Sequence, residues 1–147
     1  MKRFVFKLGA LLELRKQHEE KIKLLLAEKN REIIGKNNEL NEYYTQLKTL
    51  QASEKERRSD ETRPVLLRYS VVYRYRLKED ILQTGRSIDT LRNEAALIQQ
   101  DLIKATKSRR ALEMLREKQF VQWKKAYHRK EQEFIDDVAQ RSYGNGQ

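Results

Sequence analysis

Cysteine is absent, proline occurs once and glycine five times among 147 residues. Without cysteine there is no disulfide and no thiolate for catalysis or metal binding, and the composition suits a reducing cytosol. No run of about 18 apolar residues is present, so the sequence holds no candidate helix for crossing a bilayer. The opening Met1-Lys-Arg-Phe-Val-Phe-Lys-Leu-Gly-Ala-Leu-Leu has the look of a secretion signal. Lys7 interrupts its apolar stretch, and Glu13 follows without a cleavage site, so it is read as part of the chain. The glycines are scattered and none precedes a Lys-Ser/Thr pair, which excludes a phosphate-cradling loop. His18 and His128 are the only histidines. His18 with Glu19 and Glu20 resembles half a metal site, but a solvated helix face supplies such neighbours by chance. Asp136 and Asp137 are adjacent and diverge on a helix, so they do not form a catalytic carboxylate pair. No cofactor or metal is expected, and the chain reads as a protein without catalytic activity of its own.

What the sequence does contain is a seven-residue apolar repeat on both sides of its one proline, Pro64. Before it run Leu12, Leu26, Ile33, Leu40 and Leu47, with Glu19 as the break, interleaved with Leu8, Ile22, Tyr43 and Leu50. After it run Ile81, Ile88, Ala95 and Leu102, and beside them Leu77, Leu91, Ile98, Ala105 and Leu112. Spacings of three and four place these side chains on one stripe of a helix, and a stripe sustained over many turns marks a coiled coil. With 37% of residues charged, the chain has too little apolar content for a compact globule. Its apolar residues are also too periodic for a disordered chain. The expected fold is all-α: a long antiparallel two-helix coiled coil, folded back at Pro64 and forming a single domain over 1–147. Helix one is expected over about 4–58, a turn over about 59–64, helix two over about 65–140, and a disordered tail over 142–147.

Local chemistry supports these bounds and marks exceptions. Asp60 or Thr62 is placed to cap helix two, with Pro64 near its first position, where the missing N–H costs nothing. Gly35 costs about 1 kcal/mol against alanine without stopping a helix. Lys29 and Lys36 fall on the seam, where a lysine buries its stem and keeps its ammonium wet. Tyr69 to Tyr75 alternates in a way that suits a strand; flanking helical periodicity and the lack of a partner strand favour helix. The wide apolar surface there suggests that something packs on it. Folding back near residue 61 makes partner numbers sum to about 122 and leaves helix two longer by about 20 residues, or about 30 Å at 1.5 Å per residue. That overhang carries Phe120, Trp123, Tyr127, Phe134 and Val138. Two readings stand: the stripe packs on Phe4, Val5 and Phe6 or frays, or it is a docking face for a partner groove.

The net charge of +10 is unevenly placed. Residues 104–130 hold ten basic and two acidic side chains, and residues 131–147 hold one and four. Such a stretch is the electrostatic footprint of nucleic-acid binding. Here, however, the basic residues alternate with seam and aromatic positions and form no continuous basic region ahead of a zipper. A negatively charged protein surface is the expected target, with a nucleic-acid-binding or structural coiled coil as the alternative.

Two segments resemble a known family. Met1-Lys-Arg-Phe-Val-Phe-Lys-Leu-Gly-Ala-Leu-Leu-Glu-Leu-Arg-Lys is similar to the opening of the flagellar export protein FliJ family. Leu112-Glu-Met-Leu-Arg-Glu-Lys-Gln and Tyr127-His-Arg-Lys-Glu-Gln-Glu-Phe-Ile-Asp-Asp resemble its C-terminal run. The resemblance implies a cytoplasmic component of the flagellar type III protein export apparatus, built like the central stalk of rotary ATP synthases. It would be monomeric alone and peripheral to the inner-membrane apparatus. It implies insertion of the terminal tip into the export ATPase ring, promoting that enzyme's activity or assembly. It also implies contact with the cytoplasmic domain of the export gate, and engagement of export chaperones. The ATPase-facing candidates are Phe4, Phe6, Arg15, Arg109, Arg116, Trp123 and Lys124. The gate-facing candidates are Leu40, Tyr43, Tyr44, Leu47, Tyr73 and Leu77. Asp80 and Thr84 continue the helix-two pattern poorly, and Leu40, Tyr43 and Leu47 are equally readable as seam, so Tyr44 and Tyr73 discriminate best.

Overall fold

A computed structural model describes residues 2–59 and 64–146. It consists of two long helices packed against each other as a helical hairpin, with no strand among the described residues. Helix α1 spans Gly9–Ser59 and α2 spans Pro64–Gly144. The expected capping residues Asp60 and Thr62, and most of the expected turn, lie outside the described residues.

Two boundaries differ from those expected. Helix α1 starts at Gly9 rather than near residue 4, after a non-helical lead that contains Phe4 and Phe6. The Gly9 amide bonds the Phe6 carbonyl at 3.1 Å and the Leu12 amide the Leu8 carbonyl at 2.9 Å, so the lead turns directly into the helix. Leu8 therefore stays exposed instead of joining the seam. At the other end α2 continues to Gly144, through Ser142 and Tyr143, where coil was expected; the Asn145 amide bonds the Arg141 carbonyl at 3.1 Å. The ambiguous Tyr69–Tyr75 stretch is helical.

Two compact units divide the chain: residues 1–21 with 102–147, and residues 22–101. In the first, Leu12, Ala105 and Leu112 are buried; in the second, Ile22, Leu77 and Ile88 are. The remaining seam residues, such as Ile33, Leu40, Leu47, Leu91 and Ile98, are half-buried. Two helices cover each other on one side only, so a two-helix seam shields few side chains fully.

Each unit also holds one layer that the apolar repeat does not announce. In the first, Glu19 is buried and accepts hydrogen bonds from the Arg109 guanidinium and, at 3.3 Å, from the Thr106 hydroxyl. In the second, Glu54 is buried, accepting from the Ser70 hydroxyl at 2.5 Å and from Arg74 at 3.1 Å. Glu54 stands one heptad beyond Leu47, in the series that Glu19 interrupts. Arg74 and Arg109 stand one heptad outside Ile81 and Leu102. On α2 the Ile81–Leu102 series thus ends at either side in an arginine that closes a carboxylate–hydroxyl–guanidinium layer. The partner numbers sum to 125 for Glu19–Thr106 and 124 for Glu54–Ser70, close to the expected register.

Candidate functional site: the terminal aromatic and basic unit

The first unit carries 17 Lys and Arg against 9 Asp and Glu, leaving +8, whereas the second carries 15 against 13, leaving +2. The same unit holds an aromatic cluster. Phe4, half-buried, meets Phe120 edge-on at a centroid distance of 5.3 Å and Trp123 at 5.9 Å. Trp123 stacks on Phe120 at 5.9 Å and on Tyr127 at 5.3 Å. Such spacings are those at which ring quadrupoles attract. The spacing of Phe120, Trp123 and Tyr127 places the three rings on one stripe of α2. The non-helical lead brings Phe4 across it. The first of the two readings of the stripe therefore holds for its first half.

Beyond the cluster the situation changes. From His128 to Gly146 every described side chain is exposed, Phe134, Ile135 and Val138 included. Beside the cluster a groove of about 420 Å³ is lined by Phe4, Lys16, Glu113, Arg116, Glu117 and Phe120.

The predicted ATPase-facing residues separate into two groups. Phe4, Trp123, Arg116 and Lys124 belong to this surface: the rings form the cluster, Arg116 lines the groove, and Lys124 is exposed. Phe6 is half-buried in the lead. Arg15 and Arg109 instead spend their guanidinium groups inside the unit. Arg15 donates to the Ser108 carbonyl at 2.9 Å, and Arg109 bridges Glu19 and, at 2.7 Å, Glu113. Hydrogen bonds to Glu19 and then Glu113 raise the pKa of Arg109 beyond its already high value. Sequence reasoning missed this use because it weighed each basic residue singly. Glu19, conspicuous as a carboxylate on the seam, was the signal that an arginine stands opposite.

In the second unit, the gate-facing candidates also separate. Leu77 is 2% exposed and offers no surface. Leu40, Tyr43 and Leu47 are half-buried in the seam, and the Tyr43 hydroxyl donates to Glu39 at 3.2 Å. Tyr44 and Tyr73 are exposed. Tyr44 borders a groove of about 400 Å³ with Leu40, Leu82, Gly85 and Arg86. Tyr73 donates to Gln46 at 3.4 Å and borders a second groove with Thr45, Thr49 and Leu50. No three potential ligand side chains converge on a metal position among the described residues, and no described helix is long and apolar enough to cross a membrane.

The profile of the flagellar FliJ protein family matches residues 4–147. Neither a curated protein nor a solved structure matches the chain.

Proposed function

Because the chain belongs to the flagellar FliJ family, a component of the flagellar protein export apparatus, we propose that it is a non-catalytic, cytoplasmic coupling subunit of that apparatus. Its terminal unit enters the lumen of the export ATPase ring much as the central stalk of a rotary ATP synthase enters its own ring, and it promotes the activity or assembly of that enzyme. The observation that carries this reading is the joining of the +8 charge and the aromatic cluster in one unit. Fixed positive charge accelerates encounter with an acidic lumen, and a rigid aromatic patch supplies the buried contact once docking has occurred. Contact with the gate's cytoplasmic domain falls to the exposed Tyr44 and Tyr73, while Leu40, Tyr43, Leu47 and Leu77 hold the helices beneath them. Export chaperones are further partners of the same family role, which keeps the protein peripheral to the membrane-bound apparatus.

The test is the hydrolysis rate of the export ATPase with and without the full chain. Wild type should stimulate it, and Arg116→Glu with Lys124→Glu should abolish stimulation with helicity intact by circular dichroism. Arg109→Gln should reduce stability as well as stimulation. An ATPase indifferent to the wild-type chain would remove the reading. For the gate, Tyr44→Ala with Tyr73→Ala should weaken binding of its cytoplasmic domain by about tenfold or more, the loss typical of truncating a central aromatic contact.

A further inference from the structure

In the terminal unit the back of α2 carries a second seven-residue series that the hairpin does not use. Met114, Val121 and Ile135 stand at seven-residue steps, with His128 completing the series and Lys118, Lys125, Gln132 and Ala139 interleaved. Each member stands two residues beyond a step of the series that contains the buried Ala105 and Leu112. Two residues are about 200° of helix rotation, so this second series faces away from the seam. Met114 is 65%, Ile135 57% and Val121 45% exposed. Around Val121 a groove of about 480 Å³ is bordered by Met114, Glu117, Lys118, Gln122 and Lys125. Phe120, Trp123 and Tyr127 are on a neighbouring face, held by one another and by Phe4.

Along this stretch of helix the sign of charge reverses once. From Lys118 to Lys130 there are five basic residues and no acidic one; from Glu131 to Gln147 there are four acidic residues and one basic, Arg141. Glu117, at the edge of the groove, precedes the basic run. His128 approaches Glu131 and Arg129 approaches Glu133 along the helix, but Lys118, Lys124, Lys125 and Asp136 enter no ion pair among the described residues. We propose that this face pairs with a second copy of the chain, antiparallel, about an axis near residue 130. Apolar residues at seven-residue steps on a face turned from the first partner helix are what a second partner helix reads. A partner of one sign of charge would match half of the stretch and repel the other half, whereas the stretch inverted is its own complement. Parallel pairing would set every charge against its own copy. With partner numbers summing to about 260, Lys124 lies across from Asp136, Arg129 from Glu131, Val121 from Ala139, and the stem of Lys125 from Ile135. The groove beside Val121 then receives Ile135 and Ala139 of the second copy, and two-fold symmetry makes each contact twice. The whole chain carries +10, but screening acts over about 8 Å at about 0.15 M salt, so the local order of charges decides the pairing. The contact is short and only partly apolar, so the chain is monomeric when dilute and pairs as its concentration rises.

Sedimentation equilibrium of the full chain at about 0.15 M salt, up to about 0.2 mM protein, tests this. Wild type should show a reversible monomer–dimer equilibrium. Lys124→Glu with Lys125→Glu, and separately Asp136→Lys with Asp137→Lys, should each weaken it by about tenfold or more, because like charges then face each other at both symmetric contacts. An equimolar mixture of these two variants should form a mixed dimer at least as tight as the wild-type one, since the acidified stretch meets the basic one. Arg76→Glu with Lys78→Glu makes the first of these changes in net charge on exposed positions of the other unit and should alter dimerisation by less than about threefold. Because the chain has no cysteine, single thiols report the orientation. Val121→Cys and Ala139→Cys, treated with a short bismaleimide, should link to each other when mixed and neither to itself. Circular dichroism separates loss of pairing from loss of helix. A chain still monomeric at about 0.2 mM, which places the dissociation constant in the millimolar range, would overturn the assignment. So would undiminished pairing by either charge-reversed variant, an equal loss from the Arg76/Lys78 variant, a mixture that pairs no better than its components, or self-linking by either thiol variant. None of these readouts involves the export ATPase or the gate, so they stand apart from the proposed function.

Discussion

The two compact units of this hairpin are built from the same parts in different proportions. Among the described residues each buries three apolar side chains and each has a glutamate layer closed by a hydroxyl and an arginine. The terminal unit buries one polar residue, Glu19, and adds an aromatic cluster. The other buries three, Glu54, Ser70 and Thr84, places Lys29 on the seam, and carries both mid-helix glycines, Gly35 and Gly85. Charge follows the same division. The terminal unit carries a net +8 and the second keeps near balance at +2, while both present apolar residues outward. A looser, polar-interrupted seam suits a segment that yields locally.

The comparison breaks most sharply at the buried leucines. Leu12→Ala should lower stability by about 3 kcal/mol, and Leu77→Ala by a similar amount, as cavities at well-packed aliphatic sites do. The two should differ in where they act. Amide exchange followed by mass spectrometry should show Leu12→Ala accelerating residues 9–21 and 102–120, and Leu77→Ala accelerating residues 40–55 and 66–90. Uniform acceleration throughout would mean that the units are not separate in energy.

The glutamate layers come next. Glu19→Ala leaves the Thr106 hydroxyl and one side of Arg109 without their acceptor and should cost about 2 kcal/mol by urea unfolding. Glu19→Leu with Arg109→Leu, which continues the apolar repeat, should be neutral or stabilising, because exchanging a whole buried pair for packed hydrocarbon removes its desolvation. The mixed hairpin of Glu19→Leu with Arg109 retained should be the least stable of the three. That order would fix the layer's role as register setting rather than stability.

How much of this was legible in the sequence follows from which interactions are periodic. The heptads gave the helices, their antiparallel pairing and a register within a few residues, because apolar burial repeats every seven residues and needs no knowledge of the partner. The terminal lead departs from the expected helix because its path is fixed by the docking of Phe4 on Phe120 and Trp123, over a hundred residues away in sequence. The hydrogen bonds of Arg15 and Arg109 within the unit are not legible in the sequence, because a guanidinium's acceptor is chosen by the opposite helix, at sequence separations of 93 and 90 residues. Tyr44 and Tyr73 were separable from the seam in advance because they sit one position off the stripe that Tyr43 and Leu77 occupy.

A smaller effect distinguishes the units from the other direction. Gly35 and Gly85 are both helical, and a Cβ added at either meets nothing within 4 Å. Alanine there should add about 1 kcal/mol each by lowering the conformational entropy of the unfolded chain. The gain should appear as slower amide exchange in residues 22–101 and leave the terminal unit unchanged. Should Gly85→Ala stabilise the chain yet weaken gate-domain binding, the groove that Gly85 shares with Tyr44 would be part of that contact.

The smallest effect is alkaline. A hydrogen bond to Glu94 raises the pKa of Lys29 above its ordinary 10.5, and one to Glu39 raises that of Tyr43 above 10.0, each group favouring its protonated form in the folded chain. In the terminal unit Tyr127 is raised in the same way by Glu131. A raised folded pKa contributes stability that is complete below the unfolded value and lost as pH climbs through the folded one. Thermal unfolding should therefore be flat from neutrality to about pH 9.5 and decline above it. All three groups are solvent-accessible, so the decline is shallow, and salt should flatten it further. Glu94→Gln removes the Lys29 contribution and Tyr43→Phe removes its phenol. Together they should shrink the alkaline decline measured within residues 22–101 and spare that of residues 1–21 and 102–147, where Tyr127 still titrates.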